Sequence, residues 1–344
     1  MDRSRPNPQT DRGGPRWASP QLPAGTRAYR EAPVRAPIDK VGLALLIVFV
    51  TALQLMLDLG KEHDWVASRE ICTLAVIAAI GFAAFVIWEL TEAHPVVDLR
   101  VFRHRGFTAS VVTLAFGFGA MFGVNVLTPL WLQTYMGYTS TWAGLTTAWS
   151  GVLAVFAAPV AGMLIAKVDP RRLIFFGLLW LAAVTVWRAA ATTDMTYWQI
   201  ARPLIVMGVG LPFFFVPLTA LSLGSVEPDE MASGAGLQNF LRTLSGAVAT
   251  SVVTTVWEDQ GRVKHEELVG LIDRSGDAAA ALSQSGLSPD AVRGMLDRLL
   301  EGQSVMLATN ELMGVIALVF AVGALVIWLA RRPTRGVDLS QAGH

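Results

Sequence analysis

Cysteine is nearly absent, with Cys72 the single one in 344 residues. That excludes an intramolecular disulfide, zinc sites built on four cysteines or on two cysteines and two histidines, and a redox CxxC pair. Charge is scarce as well: Asp, Glu, Lys and Arg make up 16% of the chain, against about 25% in soluble domains. From Gly106 to Ala166 none of the four occurs, a 61-residue stretch that no water-facing surface supplies. The formal net charge of zero leaves no bulk field to attract nucleic acid. His265-Glu266-Glu267 lacks the second histidine of HExxH, and neither a GxSxG elbow, a Walker A loop nor a dinucleotide fingerprint occurs. The reading is therefore of a chain that is not an enzyme and holds no metal or cofactor.

What is present is apolar, 53% of the chain. A helix needs about 20 mostly apolar residues to cross ~30 Å of hydrocarbon at 1.5 Å per residue. Eight such windows run over 41–59, 71–91, 107–132, 141–166, 172–191, 201–224, 237–257 and 310–330. No ten-residue alternation suggests a barrel, so the fold class is an all-α membrane protein with eight transmembrane helices. Residues 1–40 hold seven of the 17 prolines and eight Lys or Arg, and are expected to be a disordered basic tail without a secretory signal.

Basic residues also crowd the segments on the tail's side of the membrane: Arg100, Arg103 and Arg105; Lys167, Arg171 and Arg172; and Arg331, Arg332 and Arg335. The facing short loops carry only Lys61 and Arg69, then Arg188 and Arg202 flanking the third. By the positive-inside rule both termini are cytoplasmic, with 331–344 a second tail and the cell membrane the location. The inner turn Ser225–Ser233 is an exception, because it offers Glu227, Asp229 and Glu230 with Arg242 as its nearest cation in sequence. The segment 258–309 reads as a long extracytoplasmic loop carrying one amphipathic helix through Val292, Met295, Leu296, Leu299 and Leu300, with Ser288 as N-cap and Pro289 at its first position.

Polar residues inside spans are costly, so they mark either helix contacts or a solvated path. Asn125 lies mid-span and Gln133 toward the outer end of the third window; Asn125 either lines a cavity or hydrogen-bonds a neighbouring helix. In the seventh window Asn239, Thr243, Gly246, Thr250 and Thr254 recur at spacings of four, three, four and four, so they share one face, with Gln238 and Arg242 beside it. Such a stripe serves close packing or a pathway. Gly119 and Gly123 form a GxxxG, while Gly208, Gly210, Pro212 and Pro217 interrupt the sixth window, as packing or bending devices. No carboxylate occupies the middle of any window, although a proton-coupled carrier needs a titratable group there.

Several segments in order resemble one family. They are Leu53-Gln54 to Asp58-x-Gly60 with Asp64-Trp65; Trp88-Glu89; Pro95-x-x-Asp98-Leu99 and Phe102; Gln133 with Gly137-Tyr138-Thr139 and Trp142-Ala143-Gly144-Leu145; and Gly162 to Lys167-x-Asp169-x-Arg171-Arg172-Leu173. The strongest is Pro217-Leu218-Thr219 through Ala232, Asn239-Phe240 and Arg242-Thr243-Leu244 to Thr254-Thr255-x-Trp257, followed by Asn310-Glu311. Together, over about 300 residues, they resemble the 14-helix EmrB/QacA type of drug:proton antiporter of the major facilitator superfamily, nearer the EmrB side.

The resemblance implies that 41–91 are the two extra central helices and 107–330 the C-terminal six-helix bundle. Six amino-terminal helices, with the acid for proton coupling, would have no counterpart in the chain. It also implies a multidrug exporter of hydrophobic or amphipathic compounds driven by the proton gradient, with Lys167, Asp169, Arg171 and Arg172 as an intracellular gating loop or a plain positive-inside anchor. Substrate-pathway candidates are Asn125, Gln133, Gln238, Asn239, Arg242, Thr243 and Thr250. Implied partners, besides lipid, are a separate N-terminal half or a second copy, and a periplasmic adaptor with an outer-membrane channel; nucleic acid is not among them. A transport-inactive membrane scaffold is the competing class.

Overall fold

The computed structural model of the chain describes residues 39–275 and 289–330, except Asp64, His94 and Asp229. Residues 1–38 of the expected tail at 1–40, the tail at 331–344 and Ser288 as an N-cap lie outside the described residues, while Asp39 and Lys40 belong to the start of the first helix.

Helix α1 (Lys40–Leu59) starts where Asp39 accepts hydrogen bonds from the amides of Val41 and Gly42, at 3.0 and 2.9 Å. The same carboxylate accepts the indole N–H of Trp88 at 2.8 Å, which ties the start of α1 to the end of α2 (Arg69–Thr91). The two helices form a hairpin with Phe49 set against Gly81 and between Phe82 and Phe85. Its outer faces expose Ile47, Ile80, Phe82 and Ile87, apolar surface suited to lipid rather than water.

Six further helices follow among the described residues: α3 (Arg105–Thr134), α4 (Ser140–Ile165), α5 (Pro170–Arg188), α6 (Tyr197–Leu223), α7 (Met231–Ser275) and α8 (Pro289–Val326), the last closed by a 3-10 turn at Ile327–Leu329. Helix α5 begins as the sequence dictates, with Asp169 capping the amide of Arg171 at 3.0 Å and Pro170 at the first position, where no N–H is needed. The core joins α3, α5, α6 and α8 through Phe118, Leu127, Leu178, Leu181, Phe214 and Phe320. Helices α5 and α6 cross with backbones almost touching: a Cβ on Gly177 would lie 2.7 Å from the amide nitrogen of Phe214, and one on Gly210 would lie 3.1 Å from the carbonyl of Gly177. Gly208 meets α4 in the same way, at 2.2 Å from the carbonyl of Ser150. Helix α6 runs unbroken through Pro203, Pro212 and Pro217, so its glycines act as contact points and no gap divides the helix.

Seven of the described helices are long and apolar enough to span a membrane, and α7 is not among them. Its polar stripe lowers its hydropathy, while its length of 45 residues is roughly 68 Å, over twice the hydrocarbon thickness. This changes the expected loop at 258–309. Helix α7 continues through it to Ser275, and the helix beginning at Pro289 runs without interruption into the last span. The periodic apolar positions from Val292 to Leu300 are followed by Val305, Met306 and Ala308 with no helix breaker but Gly302, so one helix results instead of a surface helix and a span.

Candidate functional site

A cavity of about 1170 Å³ opens between α1, α3, α6 and α7. One wall is the stripe on α7, where Asn239, Thr243, Gly246, Thr250 and Thr254 all line the space together with Gln238 and Arg242. Thr243 donates its hydroxyl hydrogen to the carbonyl of Asn239 at 3.1 Å, and Thr254 to that of Thr250 at 2.9 Å. Their hydroxyl hydrogens are thus taken up within the helix, which leaves the oxygens as acceptors. The opposite wall is aromatic, with Phe118 and Phe122 from α3 and Phe215 from α6. The rings of Phe118 and Phe215 lie 4.6 Å apart, and the guanidinium of Arg242 sits 5.3 Å from the centre of Phe118, within cation-π range. Gly246 leaves room for Phe122, whose ring would come within 3.2 Å of an added Cβ.

The third wall had no cavity signal in the sequence. Gln54, Leu57 and Asp58 of α1 and Lys61 of the turn after it line it, and the Gln54 amide donates to both Asp58 oxygens at 2.9 and 3.0 Å. Ser251 of α7 fastens this wall by donating to the carbonyl of Leu57 at 2.8 Å. Asn125 and Gln133 lie elsewhere. Asn125 is exposed on α3 outside the lining, and Gln133 donates to the Pro129 carbonyl at 3.1 Å while accepting from Ser140 at 2.7 Å, bracing the turn between α3 and α4. Gly119 and Gly123 face α7, with Ala249 and Val253 the nearest side chains there.

Of the expected gating loop, Asp169 and Arg171 come together and Lys167 and Arg172 remain exposed. Arg171 is buried; it bonds Asp169 at 2.9 Å, donates to the carbonyl of Ala330 at 2.8 Å and lies 5.7 Å from the centre of the Trp328 ring. It thus fastens the start of α5 to the end of α8. The acidic turn before α7 finds partners other than Arg242. Arg103 reaches Glu227 at 3.2 Å and Glu230 at 2.9 Å, and His104 meets Glu230 at 2.8 Å.

At the opposite end of the bundle, Arg188 is no loop-flanking cation. Its guanidinium turns inward and donates to the hydroxyl of Thr128. Beside it Trp257 donates to Thr309 at 2.9 Å and Asn310 to the carbonyl of Ala191 at 2.9 Å. A second cavity of about 860 Å³ lies between the extensions of α7 and α8, walled by Tyr135, Glu258, Asp259, His265, Asp297 and Glu301. Burial raises the Tyr135 phenol above its ordinary range. Among the described residues no group of three or more His, Cys, Asp or Glu is placed to hold a metal.

The profile of the Major Facilitator Superfamily matches residues 41–250. The chain is 39% identical over 310 residues to the Fatty acid resistance protein FarB of Neisseria gonorrhoeae, covering 89% of this chain and 61% of that protein. It is 35% identical over 304 residues to the Multidrug export protein EmrB of Escherichia coli, covering 87% and 59%. It is 38% identical over 305 residues to the EmrB of Haemophilus influenzae, covering 87% and 60%. The chain thus spans about 60% of the length of these relatives.

Proposed function

The chain belongs to the Major Facilitator Superfamily, and on that premise we propose that it forms the cavity-bearing part of an efflux transporter exporting hydrophobic or amphipathic compounds against proton entry. One observation carries this reading: a cavity with an amide-, hydroxyl- and guanidinium-bearing wall facing an aromatic one. Apolar and aromatic surface with a few polar groups holds varied hydrophobic molecules and orients them without a strict shape requirement. The printed names of EmrB and FarB, one a multidrug exporter and one a fatty acid resistance protein, agree with that chemistry. Arg242 would face the headgroup of an amphipathic acid and Asp58 that of a lipophilic cation.

In the proposal, alternating access requires a second bundle opposite the cavity, because one bundle supplies only one side of a rocking pair. A separate N-terminal half or a second copy would supply that side, and of the two only the N-terminal half would bring the acid for proton coupling. Both termini would lie in the cytoplasm, and an adaptor with an outer channel would complete the path in a host with two membranes.

The test is dye efflux under an imposed pH gradient, in cells lacking their own exporters. The chain would be expressed alone and together with the N-terminal half of EmrB, at matched membrane levels. Arg242→Ala and Asn239→Ala should change the range and rate of dyes moved, whereas Asn125→Ala and Gln133→Ala should not. Co-purification with the partner half, with dye movement identical to the empty vector in every case, would replace transport by a scaffold role.

A further inference from the structure

Between α3, α5, α6 and α8 lies a small cavity of about 30 Å³, walled by Trp131, Arg188, Gln199, Pro203, Thr309 and Met313. Two N–H groups on this wall have nothing to donate to: Nη1 of Arg188 and Nε1 of Trp131 are both buried and without a hydrogen-bond partner. Trp131 is only 5% exposed, so water at the protein surface does not reach its indole. The other amino group of Arg188 donates to Thr128, whose hydroxyl in turn donates to the carbonyl of Val124 at 2.6 Å. Every partner of the guanidinium is therefore neutral, and none of the ion pairs among the described residues includes Arg188.

A guanidinium cannot shed its proton in a protein, and a buried cation without a counter-charge is strongly disfavoured. The neighbouring indole can only donate. Two converging donors, one of them permanently charged, define the chemistry of the missing partner as anionic and accepting. Size narrows it further, since the cavity is about 30 Å³ against about 1170 Å³ for the large one, which suits a small ion rather than a drug. Pro203 and Met313 on the wall suit a weakly hydrated, polarisable ion.

We propose that this cavity is a binding site for one small monovalent anion of the halide class, chloride under ordinary conditions, held by Arg188 and Trp131. Bound there, the ion neutralises the cation at the junction of four helices and so stabilises the end of the bundle away from Asp169. The site is separate from the large cavity, and its occupancy does not depend on whether the chain transports anything.

The experiment uses the full chain in lipid nanodiscs, with gluconate exchanged for chloride at constant ionic strength and thermal unfolding as readout. Chloride should raise the midpoint saturably, by roughly 2–4 °C at about tenfold excess over Kd. In Arg188→Met the chloride response should vanish, and in gluconate this variant should unfold no earlier than the wild type because an uncompensated charge has been removed. Trp131→Phe keeps the charge and loses one donor, so chloride affinity should fall several-fold; this variant decides the matter if Arg188→Met does not fold. Bromide diffused into crystals should give an anomalous peak beside Arg188. Equal midpoints in chloride and gluconate, or a chloride response undiminished in both variants, would overturn the proposal. So would acetate acting as strongly as chloride, which would make the site a carboxylate seat instead.

Discussion

Arg103 and Glu230 meet at 2.9 Å, joining the short 3-10 segment before α3 to the turn that begins α7. The two residues are far apart in sequence, and His104 binds the second oxygen of the same carboxylate at 2.8 Å. Glu230 is largely buried while Arg103 is half exposed. Replacing Glu230 by Gln should therefore cost about 1–2 kcal/mol, less than a fully buried pair would. Chemical unfolding of the two proteins in the same detergent measures the difference; no change would mean that the contact is a surface pair without weight.

The crossing of α5 and α6 predicts an asymmetry between two glycines. Gly177→Ala puts a methyl group 2.7 Å from backbone that cannot rotate away, so a loss of about 1–3 kcal/mol is expected. Gly162→Ala has nothing within 4 Å of its new atom and should be neutral. Thermal midpoints of the two variants would separate them.

With one planar group Arg171 donates to Asp169 through Nε and Nη2, to the carbonyl of Ala330 through Nη1, and meets the Trp328 ring. Lysine has the charge but not the fork, so Arg171→Lys should lose about 2 kcal/mol and should resemble Arg171→Met more than the wild type. Proteolysis of the α4–α5 turn would follow the loosening of α5 from α8. Full rescue by lysine would show that charge alone holds the junction.

Two ionisable groups outside the apolar spans give opposite dependence on pH. The backbone amide of Gly42, with help from Trp88 and Val41 and against the effect of burial, holds the Asp39 carboxyl below its usual range. The resulting stabilisation is present above the unfolded pKa of about 3.9 and is lost as pH falls through the lower folded value. The contribution of Trp88 to fluorescence, taken as the difference from Trp88→Phe, should change in that acid window in the wild type and not in Asp39→Asn. Lys264 is raised, chiefly by its hydrogen bond to Glu311 and then by that to Glu267. Its stabilisation is present below the unfolded pKa of about 10.4 and disappears as pH climbs through the folded one. The alkaline slope of the unfolding midpoint should flatten in Lys264→Met.

Much of the architecture was legible because hydrocarbon imposes a length and a composition that a sequence cannot hide. The stripe from Asn239 to Thr254 was legible as one face because its spacing follows the helical period, and all its members line one cavity. Arg188 was misread because a cation at a helix end has the same sequence signature whether it points to water or to Thr128. The partners of Glu230 were missed for a different reason: Arg242 is nearer along the chain, and only the folded path brings Arg103 and His104 closer. The wall contributed by Gln54 and Asp58 was also beyond reach, since nothing in α1 alone says which helix its polar edge will face. The continuity of α8 escaped because charged residues between 290 and 301 resemble a loop composition, even though the apolar period beneath them never breaks.

The length of α7 makes it a lever. The cavity segment around Thr243 occupies one part of the rod, and its far arm carries Lys264, which grips Glu311 of α8 at 2.9 Å. A tilt of about 10° pivoting near Thr243 sweeps the backbone at Ser275 through roughly 8 Å, taking 1.5 Å per residue along the arm. A change in the cavity too small to alter its lining would thus be magnified at the far tip, and through Lys264 it would pull on α8 at Glu311.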